Sequence, residues 1–234
     1  MTTRYALYFA PANDSQLASF GEYILGRTAE SISIPGFETT FSDKLRWQKL
    51  TRSPRHYGFH ATLKAPFELA CDTTCEQLLE DVAHFSKSCK AITLTDLAPR
   101  RIADFAALTL VRQPGTLVAF AQRCVEAFEP YRAPITQQDL ARRQQVPLSD
   151  RQLDLLNHFG YPYVAEEFRF HMTLSGKLQS ADDDYLNWLV QVYQRSVNSI
   201  VQLDSIAVFA QQNRQQAFTR LAEFPFSADD KPQG

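Results

Sequence analysis

Two copies of one four-residue pattern constrain what this chain can fold into more than any other feature. The pattern is His-x-Thr-Leu, and it occurs as His60-Ala61-Thr62-Leu63 and as His171-Met172-Thr173-Leu174. In both stretches apolar residues alternate with polar ones, which predicts a β-strand with one buried face and one polar face. Each histidine therefore shares the polar face of its strand with the threonine two residues later. The copies stand about half a chain length apart, which indicates an internal duplication of one strand–helix unit.

The segments around the two motifs predict an α+β fold with antiparallel strands. Strands are expected at 5–9, 56–67, 91–97, 102–111, 167–175, 199–209 and 217–224. Helices are expected between them, and two of these open with capping boxes at Thr74 and Ser149. The polar stretch 31–55 is expected to be a long connection. We expect one domain of two similar lobes over residues 1–226, with a helical insertion at about 135–160 and a disordered tail at 227–234.

The chemistry that suits a pair of histidines on polar strand faces is acid–base catalysis at phosphorus. Cleavage of a phosphodiester needs a base to take a proton from the nucleophile and an acid to protonate the leaving oxygen. Two imidazoles that face one cleft supply both groups, and a threonine hydroxyl beside each can donate to a phosphate oxygen. Lys64 and Arg169 share the predicted parity of the histidines, so we expect them to offset phosphate charge.

A different class of protein fits the same residues. A module that binds a phosphorylated ligand or an RNA end without turnover would also need cations and hydrogen-bond donors. Binding alone would not require two histidines in the same sequence context, so the motif pair favours an enzyme.

The paired motifs resemble the signature of the 2H phosphoesterase superfamily, which includes RNA 2′,3′-cyclic phosphodiesterases. Longer stretches resemble the branch of that superfamily found with bacterial phosphonate-utilisation genes, and together they are spread over most of the chain. These stretches are 4–11, 57–67, 160–163 and 168–174.

The resemblance implies a bilobal pseudo-twofold fold with antiparallel sheets lining a central cleft and helices outside. It also implies a metal-independent phosphodiesterase, without a cofactor, that acts on a cyclic phosphate of a ribonucleotide or ribose-type compound in phosphonate metabolism. His60 and His171 would form the acid–base pair, and Thr62 and Thr173 would bind the phosphate. The implied partner is a small phosphorylated substrate, either a nucleotide or an RNA end, and no obligate protein partner is evident.

Several side chains outside the motifs are candidates for substrate binding. Tyr161 and Tyr163 flank a proline after a glycine, so they form either a base-stacking wall or the packing of a rigid turn. Arg132 and Arg143 belong to a group of arginines around the predicted insertion, which forms either a solvated helical face or a phosphate clamp. Tyr57 falls on the apolar parity of its predicted strand and is expected in the core.

Metal and nucleotide-triphosphate sites fit the sequence less well. A metal site of His56, His60 and His171 would lack the tight ligand spacing typical of zinc, and neither motif offers a carboxylate or a thiolate. The four cysteines show no C-x-x-C spacing, so we expect reduced structural thiols. No Gly-rich phosphate loop occurs in the sequence, which argues against nucleoside-triphosphate chemistry.

Composition excludes two broad classes of partner. The chain has 24 Lys and Arg against 26 Asp and Glu, so it is not a generally basic nucleic-acid binder. No apolar run approaches the roughly 20 residues that a membrane span needs, nor the core of a signal peptide. We therefore expect a cytoplasmic protein that does not associate with a membrane.

Overall fold

The computed structural model describes residues 2–27, 41–198 and 200–227. Its strands are β1 (Arg4–Phe9), β2 (Ala61–Glu68), β3 (Ile92–Leu94), β4 (Ala98–Ile102), β5 (Phe105–Thr109), β6 (His171–Thr173), β7 (Val201–Leu203), β8 (Ser205–Gln211) and β9 (Thr219–Pro225). Its helices are α1 (Gln16–Leu25), α2 (Lys44–Tyr57), α3 (Cys75–Lys87), α4 (Gly115–Ala127), α5 (Gln137–Arg143), α6 (Asp150–Phe159) and α7 (Asp183–Ser196). Short 3₁₀ turns are Glu129–Tyr131, Ala165–Glu167 and Ser180–Asp182. Residues 228–234 of the predicted tail and residues 31–40 of the predicted connection lie outside the described residues.

Most of the strands form one antiparallel sheet in which the two motif strands are neighbours. The sheet has seven strands in the order β4-β5-β6-β2-β1-β8-β9, and β3 pairs with β7 in a separate two-stranded sheet. Each pairing in the larger sheet is antiparallel. The predicted α+β class with antiparallel strands is confirmed. The two motif strands meet where β2 pairs with β6, inside this one sheet, and the division into two similar lobes stays a prediction.

Helices cover one face of the sheet, and the main hydrophobic core lies between them and the strands. Ala61 of β2, Met172 of β6 and Leu7 of β1 are buried in this core. Helices α1, α3, α4 and α7 contribute most of its helical residues. The opposite face carries a much smaller apolar cluster that includes Tyr8 and Phe209. An antiparallel sheet with one packed face leaves its other face available for polar residues, and here that face carries the motifs.

The ends of the helices follow capping signals in the sequence. Thr74 and Ser149 each accept a hydrogen bond from the backbone amide three residues later, and the glutamine there bonds the amide of the cap in return. Both predicted capping boxes are thus present. Gly160 ends α6 in the left-handed region, with φ of 68°, which glycine adopts at little cost. This turn directs the chain into the segment of Tyr161 and Tyr163.

The chain before the first motif is helical where the sequence predicts a polar connection and then a strand. Helix α2 ends at Tyr57, so His56 and Tyr57 are helical and β2 begins only at Ala61. The predicted strand 56–67 is therefore wrong over its first residues. The helix buries only Leu50, Thr51 and Pro54, so its apolar periodicity is too sparse to stand out among the charged residues around it.

Two other boundaries differ from the prediction for identifiable reasons. The segment 98–101, which separates the predicted strands 91–97 and 102–111, lies within β4, and the hairpin turns at Ala103, which has a φ of 49°. Strand β6 is short because the Gln113 side chain bonds the backbone of Phe168 and Phe170 just ahead of it. The second motif is therefore held by a side chain as well as by its neighbouring strands.

The described part of the chain shows four free cysteines and no group of three or more potential metal-ligating side chains. Over the same residues no helix combines the length and the apolarity that a membrane span requires.

Candidate active site

The register between β2 and β6 brings the four motif residues together on one face of the sheet. Ala61 pairs with Met172, and both point into the core. Extending this antiparallel register by one residue each way sets His60 opposite Thr173 and Thr62 opposite His171. Residues directly opposite have Cβ atoms about 4.5–5.5 Å apart, and diagonal neighbours lie about 7–8 Å apart, with a somewhat shorter distance between their Cβ atoms. The two histidines are the diagonal pair, so one phosphate-sized group fits between their side chains.

Each imidazole is held by the same kind of hydrogen bond. His60 Nδ1 lies 3.0 Å from the carbonyl oxygen of Gly58, and His171 Nδ1 lies 2.8 Å from that of Arg169. A carbonyl oxygen can only accept, so Nδ1 carries the proton and donates in both rings. Nε2 is consequently the ring atom of each histidine that is left to exchange a proton with a ligand.

The surroundings of the two rings lower both histidine pKa values. The His60 ring stacks on Tyr8, with centroids 3.7 Å apart and planes at 17°. Burial lowers the pKa of His60 to about 3, and the nearby charges of His171 and Arg27 act in the same direction. Burial also lowers the pKa of His171, whose ring meets the edge of Phe105 at 5.8 Å. Both imidazoles are therefore neutral at pH 7 without a ligand, and an anion between them would favour protonation.

Two adjoining cavities form a cleft over this face and share Thr62. The cavity on the His60 side is about 260 Å³, and Tyr8, Tyr57 and Thr173 also line it. The cavity on the His171 side is about 450 Å³ and is lined by residues that include Tyr161, Tyr163 and Arg169. Among the described residues, no protein atom is hydrogen-bonded to the hydroxyl of Thr62 or Thr173. A phosphate at the centre therefore has room to accept hydrogen bonds from both threonine hydroxyls. The organic group that it carries would lie in one of the two cavities.

Three of the other candidates lie in the cleft as the sequence predicts. Arg169 is exposed at its edge, and within the described ranges no acceptor contacts its guanidinium. Tyr161 and Tyr163 pack edge to face, with centroids 5.5 Å apart. Burial raises the pKa of Tyr161 to about 12, so it is a neutral donor at pH 7, while Tyr163 is 40% exposed. The pair forms a wall of the larger cavity as well as an ordered turn, and the stacking of a base on this wall stays a prediction.

Lys64 does not lie in the cleft, because a β-bulge reverses the alternation of β2. Pairing with β1 passes from Tyr8↔Thr62 to Leu7↔Lys64, so β2 has one residue more than its partner there. Lys64 therefore points to the core face, where it is 3% exposed. Its ammonium group donates to Glu129 at 2.7 Å and to the Val125 carbonyl at 3.1 Å. The expectation that Lys64 offsets phosphate charge is wrong.

Arg132 is also engaged elsewhere. Its guanidinium donates to the Glu129 carboxylate and to the carbonyls of Ala133 and His158. These bonds tie the 3₁₀ turn after α4 to the end of α6, so Arg132 has a structural role outside the cleft, and a substrate contact by it stays a prediction. Arg143 packs over the ring of Tyr161, with its guanidinium carbon 5.1 Å from the ring centroid, and so lies behind the tyrosine wall.

The metal site built from His56 does not assemble. His56 lies in α2, and its Nε2 is 3.1 Å from the side-chain amide of Gln211. A site that joins His56 to His60 would need the predicted strand 56–67 to be continuous, and α2 occupies its first residues.

Sequence reasoning missed several residues that shape the site. Tyr57, expected in the core, is 40% exposed and lines the smaller cavity. Gly58 has φ of 84° and ψ of 175°, a conformation that only glycine adopts readily, and it directs its carbonyl at His60. A Cβ on Gly58 would lie 2.5 Å from Arg27 Nη1. A glycine two residues before His60 could have indicated a positive φ at this position. The sequence places it inside a predicted strand, whereas the structure places it at the end of α2.

Comparison with known proteins finds relatives over nearly the whole chain. It is 36% identical over 236 residues to Ribose 1,5-bisphosphate phosphokinase PhnN of Janthinobacterium sp. (strain Marseille), covering 96% of this chain and 51% of that protein. It is 29% identical over 220 residues to the protein of the same name from Laribacter hongkongensis (strain HLHK9), covering 92% of this chain and 50% of that one. The chain spans about half the length of the curated relatives it matches.

Solved structures and a family model also match. The fold is similar to E. coli LigT complexed with 3′-AMP, with a TM-score of 0.44 and 12% identity over 97% of this chain and 100% of that one. It is similar to a further phosphoesterase, with a TM-score of 0.41 and 10% identity over 97% and 99% of the two chains. The family described as Protein of unknown function (DUF1045) matches residues 62–219, and the chain belongs to this family.

Proposed function

We propose that this protein is a metal-independent phosphodiesterase that opens a cyclic phosphate of a ribonucleotide or a ribose-type compound. The observation that carries the proposal is the diagonal pair of imidazoles. His60 and His171 are placed by paired strands, and each is held through Nδ1 by a carbonyl two residues upstream. Two bases presented with the same tautomer on one face are what proton transfer on opposite sides of a phosphorus atom needs.

The difference in surroundings supports an assignment of roles. His60, with the more strongly lowered pKa, stays neutral and takes a proton from water through Nε2 while the water oxygen bonds to phosphorus. His171 gains a proton when the anionic phosphate binds and gives it to the ring oxygen whose bond to phosphorus breaks. One water is consumed and a phosphomonoester and a hydroxyl are formed. The proton on His60 returns to solvent, and His171 is reprotonated.

The remaining cleft residues serve the phosphate and its organic group. The hydroxyls of Thr62 and Thr173 donate to the non-bridging oxygens, on which negative charge is concentrated. Arg169, at the edge of the larger cavity, offsets that charge. Tyr161 and Tyr163 offer aromatic surface to a sugar or a base in the same cavity.

The relatives support a ribose-type substrate. Their name describes a kinase that acts on ribose 1,5-bisphosphate, and their shared name PhnN fits the resemblance to the phosphonate-associated branch. Kinase chemistry needs a nucleoside triphosphate, and this sequence contains no Gly-rich phosphate loop. We therefore assign this chain a different step on a related compound. A cyclic diester on phosphorylated ribose would be opened to a ribose bisphosphate.

The test is turnover of adenosine 2′,3′-cyclic phosphate by the purified full chain in the presence of EDTA. His60→Ala and His171→Ala are compared with His84→Ala, an exposed histidine of α3 outside the cleft. We expect hydrolysis that survives chelation and is lost in the two motif variants only. Ligand binding without turnover of this or any ribose cyclic phosphate would establish the non-catalytic binding module instead. Activity that is lost with EDTA and restored by zinc would contradict the metal-independent mechanism.

A further inference from the structure

A second concentration of charge lies beside the cleft, in a cavity that we call the arginine cavity. Its charged lining consists of Arg4, Arg132, Arg142, Arg143, Glu68 and Asp139. The cavity is about 40 Å³, which is room for a group of the size of a phosphate but not for a nucleobase. The first helix of the insertion, α5, forms one wall, and the end of β2 forms another.

The acidic residues of the arginine cavity are already shared among other arginines. Asp139 accepts from Arg142 at 2.7 Å and from Arg214 at 2.7 Å. Arg214 also lies 3.9 Å from Glu68. Arg132 is paired with Glu129 outside the cavity. The carboxylates therefore do not balance the two remaining cations of the lining.

Those two cations are Arg4 and Arg143. Arg4 is 9% exposed, and its guanidinium contacts the side-chain oxygen of Gln211 and the ring of Phe218. Arg143 packs over Tyr161, and its Nε is out of contact with solvent and bonded to no acceptor in the described part of the chain. Burial lowers the pKa of both arginines, the charges of Arg142 and Arg214 act in the same direction, and the charge of Asp139 offsets only part of the lowering. Burying a cation without a paired anion costs free energy. A bound anion in this cavity would therefore be stabilised by Arg4 and Arg143.

The arginine cavity adjoins both halves of the cleft. Pro66 lines it and also the cavity that contains His60. Arg4 and Tyr8 lie on the same strand four residues apart, which is about 13 Å. Ring contacts connect them, because Phe218 under Arg4 is 6.2 Å from Tyr8, which stacks on His60. On the other side, Arg143 backs the tyrosine that lines the cavity of His171.

We infer that the arginine cavity is a subsite for a second phosphate group carried by the substrate, held by Arg4 and Arg143. The inference rests on the proposed function for the reacting phosphate, which lies between His60 and His171. It specifies the substrate class as a cyclic phosphodiester of a ribose-type compound that also bears a terminal phosphomonoester. The dianionic monoester supplies the charge that the two arginines lack, and its oxygens accept from the guanidinium donors.

The experiment compares two substrates, adenosine 2′,3′-cyclic phosphate with and without a 5′-phosphate. We expect the unmodified protein to show a kcat/KM at least tenfold higher for the 5′-phosphorylated compound. Arg143→Gln should lower kcat/KM for that compound about tenfold to a hundredfold more than for the other, the range for hydrogen bonds to a charged group. Arg143→Lys, which keeps the charge, should retain part of the preference. Arg151→Gln is the matched control, since Arg151 pairs with Glu166 on the surface and should leave the ratio unchanged.

The outcomes separate this inference from the proposed function. Turnover of both compounds with equal kcat/KM in the unmodified protein would overturn the subsite and leave the phosphodiesterase intact. If neither compound is hydrolysed, the subsite is tested by calorimetry. The affinity for adenosine 5′-phosphate is measured in the unmodified protein, in Arg143→Gln and in His60→Ala. Binding weakened by Arg143→Gln but not by His60→Ala would support the subsite while the catalytic proposal fails. Binding that is absent or independent of Arg143 would overturn the subsite.

Discussion

The two halves of the cleft carry the same motif and the same Nδ1 hydrogen bond, yet they hold their imidazoles in different surroundings. His60 lies face to face with Tyr8, whereas His171 meets the edge of Phe105. The strand that follows His60 has eight residues, and the one that begins at His171 has three. The repeated motif thus gives the two imidazoles equivalent positions in their strands. Their different aromatic neighbours, Tyr8 and Phe105, give them different surroundings and so different pKa values. The assignment of His60 as base and His171 as acid depends on this difference.

The largest expected effects are those of removing either imidazole. His60→Ala and His171→Ala should each lower kcat about 10²- to 10⁴-fold, the usual contribution of a proton transfer. A diester with a p-nitrophenolate leaving group needs no protonation, so His171→Ala should recover most of its activity on that substrate and His60→Ala should not. Steady-state rates of both variants on both substrates measure this. The reverse pattern of recovery would exchange the two roles.

Removing one threonine should cost less than removing an imidazole. Thr62→Ala and Thr173→Ala should each lower kcat/KM about tenfold to a hundredfold, because a hydrogen bond to a charged oxygen contributes about 1.5–3 kcal/mol. Thr62→Ser and Thr173→Ser keep the hydroxyl and serve as controls. Losses equal to those of the histidine variants, with ligand affinity falling in step, would indicate a binding site instead of a catalytic one.

The pH dependence should reveal the lowered pKa values of both histidines. Under the proposed roles the free protein needs a neutral His60 and a protonated His171, so kcat/KM should peak between about pH 3 and pH 6.5. Above the pKa of His171 it should fall about tenfold per pH unit as the acid loses its proton. Initial rates at limiting substrate from pH 4 to 9 test this. A maximum above pH 7 would contradict the environments described for the two rings.

The smallest expected effect is on stability. The pKa of His60 is near 6.5 in the unfolded chain and about 3 in the folded one, so the unfolded state binds more protons between these values. The stabilisation is complete above pH 6.5 and is lost as the pH falls toward 3, with a slope of at most about 1.4 kcal/mol per pH unit. His60→Phe keeps a ring against Tyr8 and should show a shallower decline in urea unfolding between pH 7 and 5. Identical declines in both proteins would contradict the burial of this imidazole.

The parts of the site that lie in regular strand and cap geometry could be predicted from the sequence. The motif pair and the capping boxes at Thr74 and Ser149 follow local rules, and the structure contains them. Lys64 could not be placed, because a bulge depends on pairing with β1 and leaves no mark in the sequence of β2. Tyr57 was misplaced for a similar reason, since α2 gains its stability from contacts made by few apolar residues. Arg132 and Arg143 could not be told apart in the sequence, because both belong to one group of arginines. Only the tertiary contacts show that Arg132 pairs with Glu129, whereas Nε of Arg143 has no acceptor among the described residues.

The bulge in β2 also predicts how this family can vary. The residues on its two sides have different surroundings: Thr62 faces the cleft, while Lys64 forms an ion pair with Glu129 inside the protein. Replacing only Lys64 or only Glu129 by a neutral residue would leave the other charge unpaired in the interior. We therefore expect homologues to exchange Lys64 and Glu129 together, as a correlated substitution that is independent of substrate, and to vary at Thr62 only where the ligand itself changes.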